Sequence, residues 1–531
     1  MPMADNNQTA TSENTRVTKA AGVVGSATLL SRILGLVRDV VIAGFFGASL
    51  SSDAFFMAFR IPNLLRRLFA EGSLTISFIP VFTEYLTTKG SDEAFEMARS
   101  ALRLLSVILT ACAVIGILFA PLIIRIIAWG WVDQPDKFEI TVVLTRIMFP
   151  YIFFIGLVAL AMGILNVLGH FAAPALAPVF LNLAMIGSVF LLSPHFDQPI
   201  IGLALGVLIG GVLQLALQIP FLRRKGFRLG GKTAWLHPGL KRVGVLMVPA
   251  VFGAAVYQIS NLVDALLASF LPEGSVSYLY YADRIVQFPL GIFAIALATA
   301  VLPSLSRQAA NDDMPGMKNT FGHAMRLIFF ITLPAMIGLI VLREPIVALL
   351  FKRGAFDAES TRMTAYAVLF YGIGLWAFSA VRIVFSTFYA MQDTRTPVVM
   401  ASLSLVAKIG LSVILMRYLA HGGLALATSL ASMLNFGLLI WALRKRLGPL
   451  GLRSVVRSIA TSAVCALIMG LSVGYISLLV IPDGSGGLMG LFFGLFGSII
   501  AGILVYAGLA YLFKSPELEA VMDIVGKRNR E

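Results

Sequence analysis

Two cysteines in 531 residues, Cys112 and Cys465, lie far apart and each inside an apolar stretch. They exclude a disulfide framework and a thiolate metal site. Charge is also scarce, at 13% Asp, Glu, Lys and Arg, where an ordinary soluble domain carries roughly a quarter. With 58% hydrophobic residues and a mean hydropathy of +0.89, that scarcity excludes a water-soluble globular protein. No HExxH pair occurs, and neither metal-assisted hydrolysis nor ATP-driven phosphoryl transfer within the chain is expected. The polar first residues, MPMADNNQTATSENTR, lack the basic-then-apolar order of a cleavable signal peptide, so a disordered tail and an uncleaved first helix are expected.

What is present is a series of apolar runs cut to the length of a bilayer core. They fall near 20–46, 52–86, 97–127, 138–168, 173–193, 199–222, 241–270, 277–305, 320–345, 361–391, 397–417, 422–443, 455–480 and 486–513. These predict an all-α polytopic membrane protein with fourteen transmembrane helices. Pro62 and the pair Arg66–Arg67 interrupt the second run, where a bend or break is expected, tolerable only against protein or a wet cavity.

The 41 Lys and Arg outnumber the 27 Asp and Glu, giving a formal charge of +14. Membrane orientation accounts for this excess without nucleic acid. Arg16 and Lys19, the cluster from Arg223 to Arg242, Arg444 to Arg453, and Lys527 to Arg530 all fall on one side of an even-numbered bundle. The loops near 46–52, 194–198, 271–276 and 481–487 hold no Lys or Arg. The basic side is cytoplasmic by the positive-inside rule, so both termini are expected inside.

An internal repeat organises the bundle. AFRIPN, from Ala58, resembles ADRIVQFP, from Ala282, and the proline pairs Pro80/Pro303 and Pro174/Pro397 share an offset of 223 residues. Two six-helix lobes are expected, 20–222 and 241–445, joined by a basic loop at 223–240. A polar tail at 1–19, two further helices at 446–513 and a cytoplasmic tail at 514–531 complete the chain. Repeats of this kind usually hold a substrate between them.

Charges inside apolar runs mark the candidate site. Arg32 lies roughly 18 Å along the first helix at 1.5 Å per residue. Asp39 returns to nearly the same face, and Arg38 points about a third of a turn away. This cluster reads either as an internal Arg/Asp clamp or as an anion-binding cavity, the latter favoured by its net positive charge. The second run adds Asp53, Arg60, Arg66, Arg67 and Glu71. Arg66 and Arg67 are cavity residues or interfacial anchors, and Asp53 is a helix cap or part of the site. In the second lobe Asp283, Arg284 and Gln287 fall within about one helical turn, with Arg284 the counterpart of Arg60. A guanidinium binds phosphate oxygens as a planar fork and stays charged, so a diphosphate fits the cluster. Asp264 and Lys408 either pair or leave Asp264 as a cation or proton coupling site, which a neighbouring lysine disfavours. Arg382 lines a groove or pairs locally, and the five histidines receive no role.

At SRILGLVRD, DAFFMAFRIPNLLRRLFAEGS, YYADRIVQFPLGIFAIALATAVLPSLS and FYAMQDTRTPV the sequence closely resembles the MurJ (MviN) family of bacterial lipid II flippases, in the multidrug/oligosaccharidyl-lipid/polysaccharide exporter superfamily. The resemblance implies two six-helix lobes, two extra helices forming a groove for a lipid tail, and alternating access in the cytoplasmic membrane. It implies lipid II as the substrate, carried between leaflets, with membrane lipids around it and the cell-wall synthesis machinery an open partner. No cofactor, metal or nucleic acid is implied, a monomer suffices, and the chain is a transporter rather than an enzyme. The family's cavity charges fall on Arg32, Arg38, Asp53, Arg66 and Arg284. Of these, Arg32, Arg38 and Arg284 are expected on the diphosphate and Asp53 at the outer gate, with Glu71 and Asp283 positioning arginines. Some relatives carry an acid where Gln287 stands, and a sodium ligand where Asp264 stands. A related exporter of drugs or other polyprenyl-linked saccharides is the alternative, and a membrane glycosyltransferase a more distant one.

Overall fold

The computed structural model describes residues 4–68, 74–231, 234–481 and 487–527, and among these residues it is helical without a strand. The chain divides into two compact units, Met1–Glu273 and Gly274–Glu531. Helix α10 belongs to the first of them.

In the first unit α1 (Ala4–Phe46) is 43 residues long, about 65 Å at 1.5 Å per residue and roughly twice the hydrocarbon core. The polar residues expected as a disordered tail are helical from Ala4, since adding turns to an existing helix costs far less than starting one. After it come α2 (Leu50–Leu68), α3 (Leu74–Thr88), α4 (Ser91–Leu118) and α5 (Ala120–Ile127). The run at 52–86 divides into α2 and α3 after the Arg66–Arg67 pair, so the expected break lies beyond Pro62, and α2 continues through that proline to Leu68. The proline removes one backbone N–H, a loss a packed membrane helix absorbs. The run at 97–127 does break, at Phe119, because Pro121 supplies no donor to the turn before it. The unit is completed by α6 (Pro135–Met148), α7 (Tyr151–Val167), α8 (Ala172–Leu191), α9 (Ile200–Arg224) and α10 (Pro238–Ala268).

The core of this unit holds Phe78 and Phe82 from α3, Met97 from α4, Ile164 from α7 and Leu222 from α9, all buried. Helices α8 and α9 approach closely through Gly202, Gly206 and Gly210, which recur every fourth residue along α9. A Cβ at Gly202 would lie 2.5 Å from the Ser193 backbone nitrogen. Gly202→Ala is therefore expected to cost about 1–3 kcal/mol by overpacking against backbone that cannot yield. The check is the thermal unfolding midpoint, with Gly244→Ala, whose Cβ would meet nothing within 4 Å, unchanged.

The second unit contains α11 (Ser275–Pro289), a π-helical turn at Leu290–Ala294, α12 (Ile295–Ala310), α13 (Met314–Val341), α14 (Arg343–Phe351), α15 (Ala358–Ile373) and α16 (Leu375–Ala390). Then follow α17 (Arg395–Leu419), α18 (His421–Leu447), α19 (Leu452–Val480), α20 (Gly487–Leu512) and α21 (Pro516–Lys527). Phe321, Ile328, Val384, Leu439, Cys465 and Tyr506 lie in its core. Helices α15 and α16 bend by 42° at Gly374. There Ser429 Oγ of α18 donates to the freed Phe370 carbonyl at 2.7 Å, and a Cβ at Gly374 would lie 2.4 Å from that Oγ.

Each of the fourteen expected runs contains helix in this structure. Among the described residues ten helical spans are long and apolar enough to cross a membrane, and α15–α16 makes an eleventh if one bent span is counted. Helices α1, α2 and α10 stand outside that set, and they carry Arg32, Asp53, Arg60 and Asp264.

Candidate functional site

Within the first unit the intramembrane charges separate into buried and exposed groups. Arg38 and Asp39 are buried, at 6% and 2% exposure. Arg38 Nε and Nη2 donate to Asp39 Oδ1 at 3.0 and 2.7 Å, and Nη1 donates to Asn182 Oδ1 of α8 at 3.1 Å. Asn182 Nδ2 in turn donates to the Ser31 carbonyl at 3.1 Å, so this one α8 side chain engages α1 at two levels. This is the clamp geometry of the two sequence readings. Arg32, six residues earlier, is exposed and engages no carboxylate among the described residues.

A second buried pair was not legible as such. Asp53 of α2 accepts from Lys137 Nζ of α6 at 2.9 Å, with both side chains at most 3% exposed. The ammonium also stands 4.3 Å from the Trp131 ring centroid. Lys137 lies in PDKFE at a helix start, a pattern that reads as an ordinary solvated charge. Half-buried Arg60 donates to the Asn261 carbonyl of α10 at 2.9 Å, and half-buried Arg66 to Asn63 Oδ1 at 3.1 Å. The Arg67 side chain and Glu71 lie outside the described residues.

In the second unit Arg284 is exposed on α11. Its Nη2 donates to Tyr280 Oη at 3.1 Å and its guanidinium lies 5.2 Å from that ring's centroid. Gln287 Nε2 donates to Asp283 Oδ2, which fixes the carboxylate one turn along the helix. A π-helical turn follows directly at Leu290–Ala294, a local widening frequent at functional sites. Arg382 is exposed on α16. Asp264 is half-buried on α10 of the first unit, and Lys408 is buried on α17 of the second. The two residues thus belong to different compact units.

Two features lie off the membrane spans. Asp393, in the QDTRTP connection, accepts from Thr396 N at 3.0 Å, Thr396 Oγ1 at 2.7 Å and Arg446 Nη1 at 2.5 Å. Burial alone pushes its carboxyl up, but the Thr396 donors and the Arg446 cation outweigh this and hold it below the usual range. A depressed carboxylate contributes stability that is complete above its unfolded value, ~3.9, and lost as pH falls through the folded one. Asp393→Asn is expected to lower the thermal midpoint at pH 7 by an amount fitting about 0.5–1 kcal/mol. It also flattens the acid limb below about pH 4, both read in melting curves across pH. At the repeat-related position, His170 has its pKa lowered by burial and by Lys225 and Arg224.

The connection after α9 also contains GFRLGGKT, Gly226 to Thr233, which satisfies the nucleotide-loop spacing GxxxxGK[ST] although no ATP-driven phosphoryl transfer is expected from the sequence. A phosphate cradle of that kind follows a strand and opens a helix. This one follows a transmembrane helix, and Lys232 and Thr233 lie outside the described residues.

Comparison with known proteins decides the family. The family model described as lipid II flippase MurJ matches residues 42–493. The chain belongs to the MurJ family. A probable lipid II flippase MurJ of Vibrio cholerae serotype O1 is 42% identical over 431 residues, covering 80% of this chain and 82% of that protein. A solved lipid II flippase MurJ in an inward closed conformation is 30% identical with a TM-score of 0.78, covering 92% of this chain and 98% of that one. An inward-facing multidrug resistance MATE family transporter of the MOP superfamily has a TM-score of 0.67 at 16% identity, covering 82% of this chain and 99% of that one, a likeness of fold alone. The MurJ match takes in Asp53, Arg60, Arg66, Asp264, Asp283, Arg284 and Lys408, while Arg32, Arg38 and Asp39 precede it.

Proposed function

We propose that this chain carries lipid II, the undecaprenyl-diphosphate-linked peptidoglycan precursor, from the inner to the outer leaflet of the bacterial cytoplasmic membrane. The observation that carries the reading is the MurJ match, which runs through both units from residue 42 to 493. The side-chain geometry supports it. Arg32 and Arg284 present exposed guanidiniums on α1 and α11, one in each unit. Each is a planar, permanently charged fork of the kind that binds phosphate oxygens. Arg66 adds positive charge from α2, and the Arg38–Asp39 clamp keeps α1 against α8.

The exposed apolar faces of α19 and α20, including Leu471, Leu478, Phe493 and Leu504, suit a polyprenyl chain that never leaves hydrocarbon. Alternating access lets the sugar-diphosphate head cross between the lobes while that chain stays in lipid. Both termini lie in the cytoplasm in this reading, and one polypeptide is sufficient. Nothing in it requires a covalent step, so the protein is a transporter and not an enzyme.

The experiment is leaflet accessibility of lipid II in cells depleted of their own flippase and supplied with this chain. Restored exposure at the outer face is expected. Properly inserted protein that exposes no lipid II overturns the substrate and favours an exporter of another polyprenyl-linked saccharide. Purified protein that polymerises lipid II overturns the transporter reading itself.

A further inference from the structure

One cation of the first unit belongs to none of the clusters above. Arg146 lies on α6 inside the span Pro135–Val167, about 16 Å along from Pro135 at 1.5 Å per residue. It is exposed, and among the described residues its Nε donates to the Ile117 carbonyl at the end of α4, at 3.3 Å. That carbonyl is one of those left open where α4 stops before Pro121, the negative end of a helix. The contact uses one of the guanidinium's five N–H donors. An exposed arginine this deep in a span is costly without an anionic counterpart.

Beside Ile117 a shallow, open cleft of ~660 Å³ runs along the surface of α4, lined by Val107, Ala111, Val114 and Ile115 with Phe153 of α7 at its edge. Its walls are apolar, and its volume lies in the range of sites that hold small organic ligands, ~300–1,000 Å³. It extends from the level of Ile115 back toward Ser106, about 14 Å along α4, close to the depth of one leaflet. Arg146 therefore stands at one end of an apolar slot whose length suits one acyl chain. Because a helical side chain leans toward its helix N-terminus, the guanidinium reaches toward the Pro135 end of α6. Arg125 and Trp129, stacked at 5.7 Å, mark that end as an interface.

We propose that α4, α6 and α7 form a binding site for an anionic glycerophospholipid, with its phosphodiester on Arg146 and one acyl chain in the α4/α7 cleft. The loop charges place the head group in the outer leaflet. Charge complementarity selects this occupant: an isolated cation at the mouth and hydrocarbon walls behind it match a phosphate joined to a fatty chain. The site lies within the first unit and stands apart from the transport reading.

The test is native mass spectrometry of the purified full-length protein titrated with palmitoyl-oleoyl phosphatidylglycerol. One lipid is expected to be retained by the wild type, with affinity weakened at least about tenfold in Arg146→Ala. Ala111→Trp, which fills the cleft and leaves the cation, weakens it similarly, and Arg146→Lys retains most of it. Thermal midpoints measured without lipid separate lost binding from lost folding, and Ala111→Trp reads the site even if Arg146→Ala fails to insert. Equal retention by both variants overturns the proposal. So does displacement of phosphatidylglycerol by an equal concentration of undecaprenyl diphosphate, which would make the slot a substrate site. A stoichiometric protein that copurifies with the wild type and is lost in Ala111→Trp, with no lipid retained, overturns it as well.

Discussion

Arg284→Ala is expected to lower outward exposure of lipid II by on the order of 10–100-fold while leaving the amount of inserted protein unchanged. The magnitude follows from losing charge-assisted hydrogen bonds worth about 1.5–3 kcal/mol. The selectivity follows from exposure: the guanidinium is exposed on α11 and rests on Tyr280, so its removal is expected to leave insertion intact. Arg284→Lys keeps the charge but loses the planar fork, so it is expected to fall between wild type and alanine. Arg32→Ala is expected to behave like Arg284→Ala. Arg38→Ala provides the contrast. It leaves Asp39, 2% exposed, without the guanidinium that satisfies it, a loss of about 3–5 kcal/mol that appears first as missing protein. The measurement is leaflet accessibility normalised to membrane-inserted protein, with the precursor supplied at equal level. Full transport by Arg284→Ala would remove this residue from the substrate path.

The difference between Arg32 and Arg38 also shows where sequence reasoning reaches its limit. Helical periodicity places Arg32 and Asp39 on one face and turns Arg38 away, and neighbours at i and i+1 do not normally meet. A long arginine can nonetheless fold back on the next residue when a third group holds its far side. That group is Asn182, 144 residues away on α8, and no local pattern announces it. Lys137 was missed for the same reason, because only the packing of α2 against α6 converts a surface-looking lysine into a buried counter-ion for Asp53.

The apolar runs were legible because lipid forces every backbone group to be satisfied within its own helix, leaving a long hydropathy signal. Their breaks were less so. Pro62 proved compatible with a continuous α2, whereas Pro121 ends α4 and Gly374 bends α15 against α16. Gly374 bends because Ser429 from α18 takes over a carbonyl there, a tertiary contact that composition cannot show. The GxxxxGK[ST] spacing after α9 makes the converse point, since a motif carries chemistry only in the strand-to-helix setting that aims its amides.

The Asp53–Lys137 pair yields the largest expected effect on folding and a means of separating folding from gating. Lys137→Ala removes the ammonium that donates to a carboxylate 1% exposed, at a cost of about 3–5 kcal/mol. Inserted protein is expected to fall severely. Asp53→Asn combined with Lys137→Met removes both charges and keeps an unbranched stem against Trp131, so insertion is expected to recover to near the wild-type amount. Transport is expected to stay about tenfold below wild type in this double variant. The reason is that a pair tying α2 to α6 stabilises one arrangement of these helices over another. A bias of ~1.4 kcal/mol between two working states changes their ratio tenfold. Thermal midpoints read the first effect and lipid II accessibility per inserted molecule reads the second. Full transport by the double variant would make the pair a structural clamp like Arg38–Asp39, whereas recovery of insertion without transport assigns the charged pair to the working cycle.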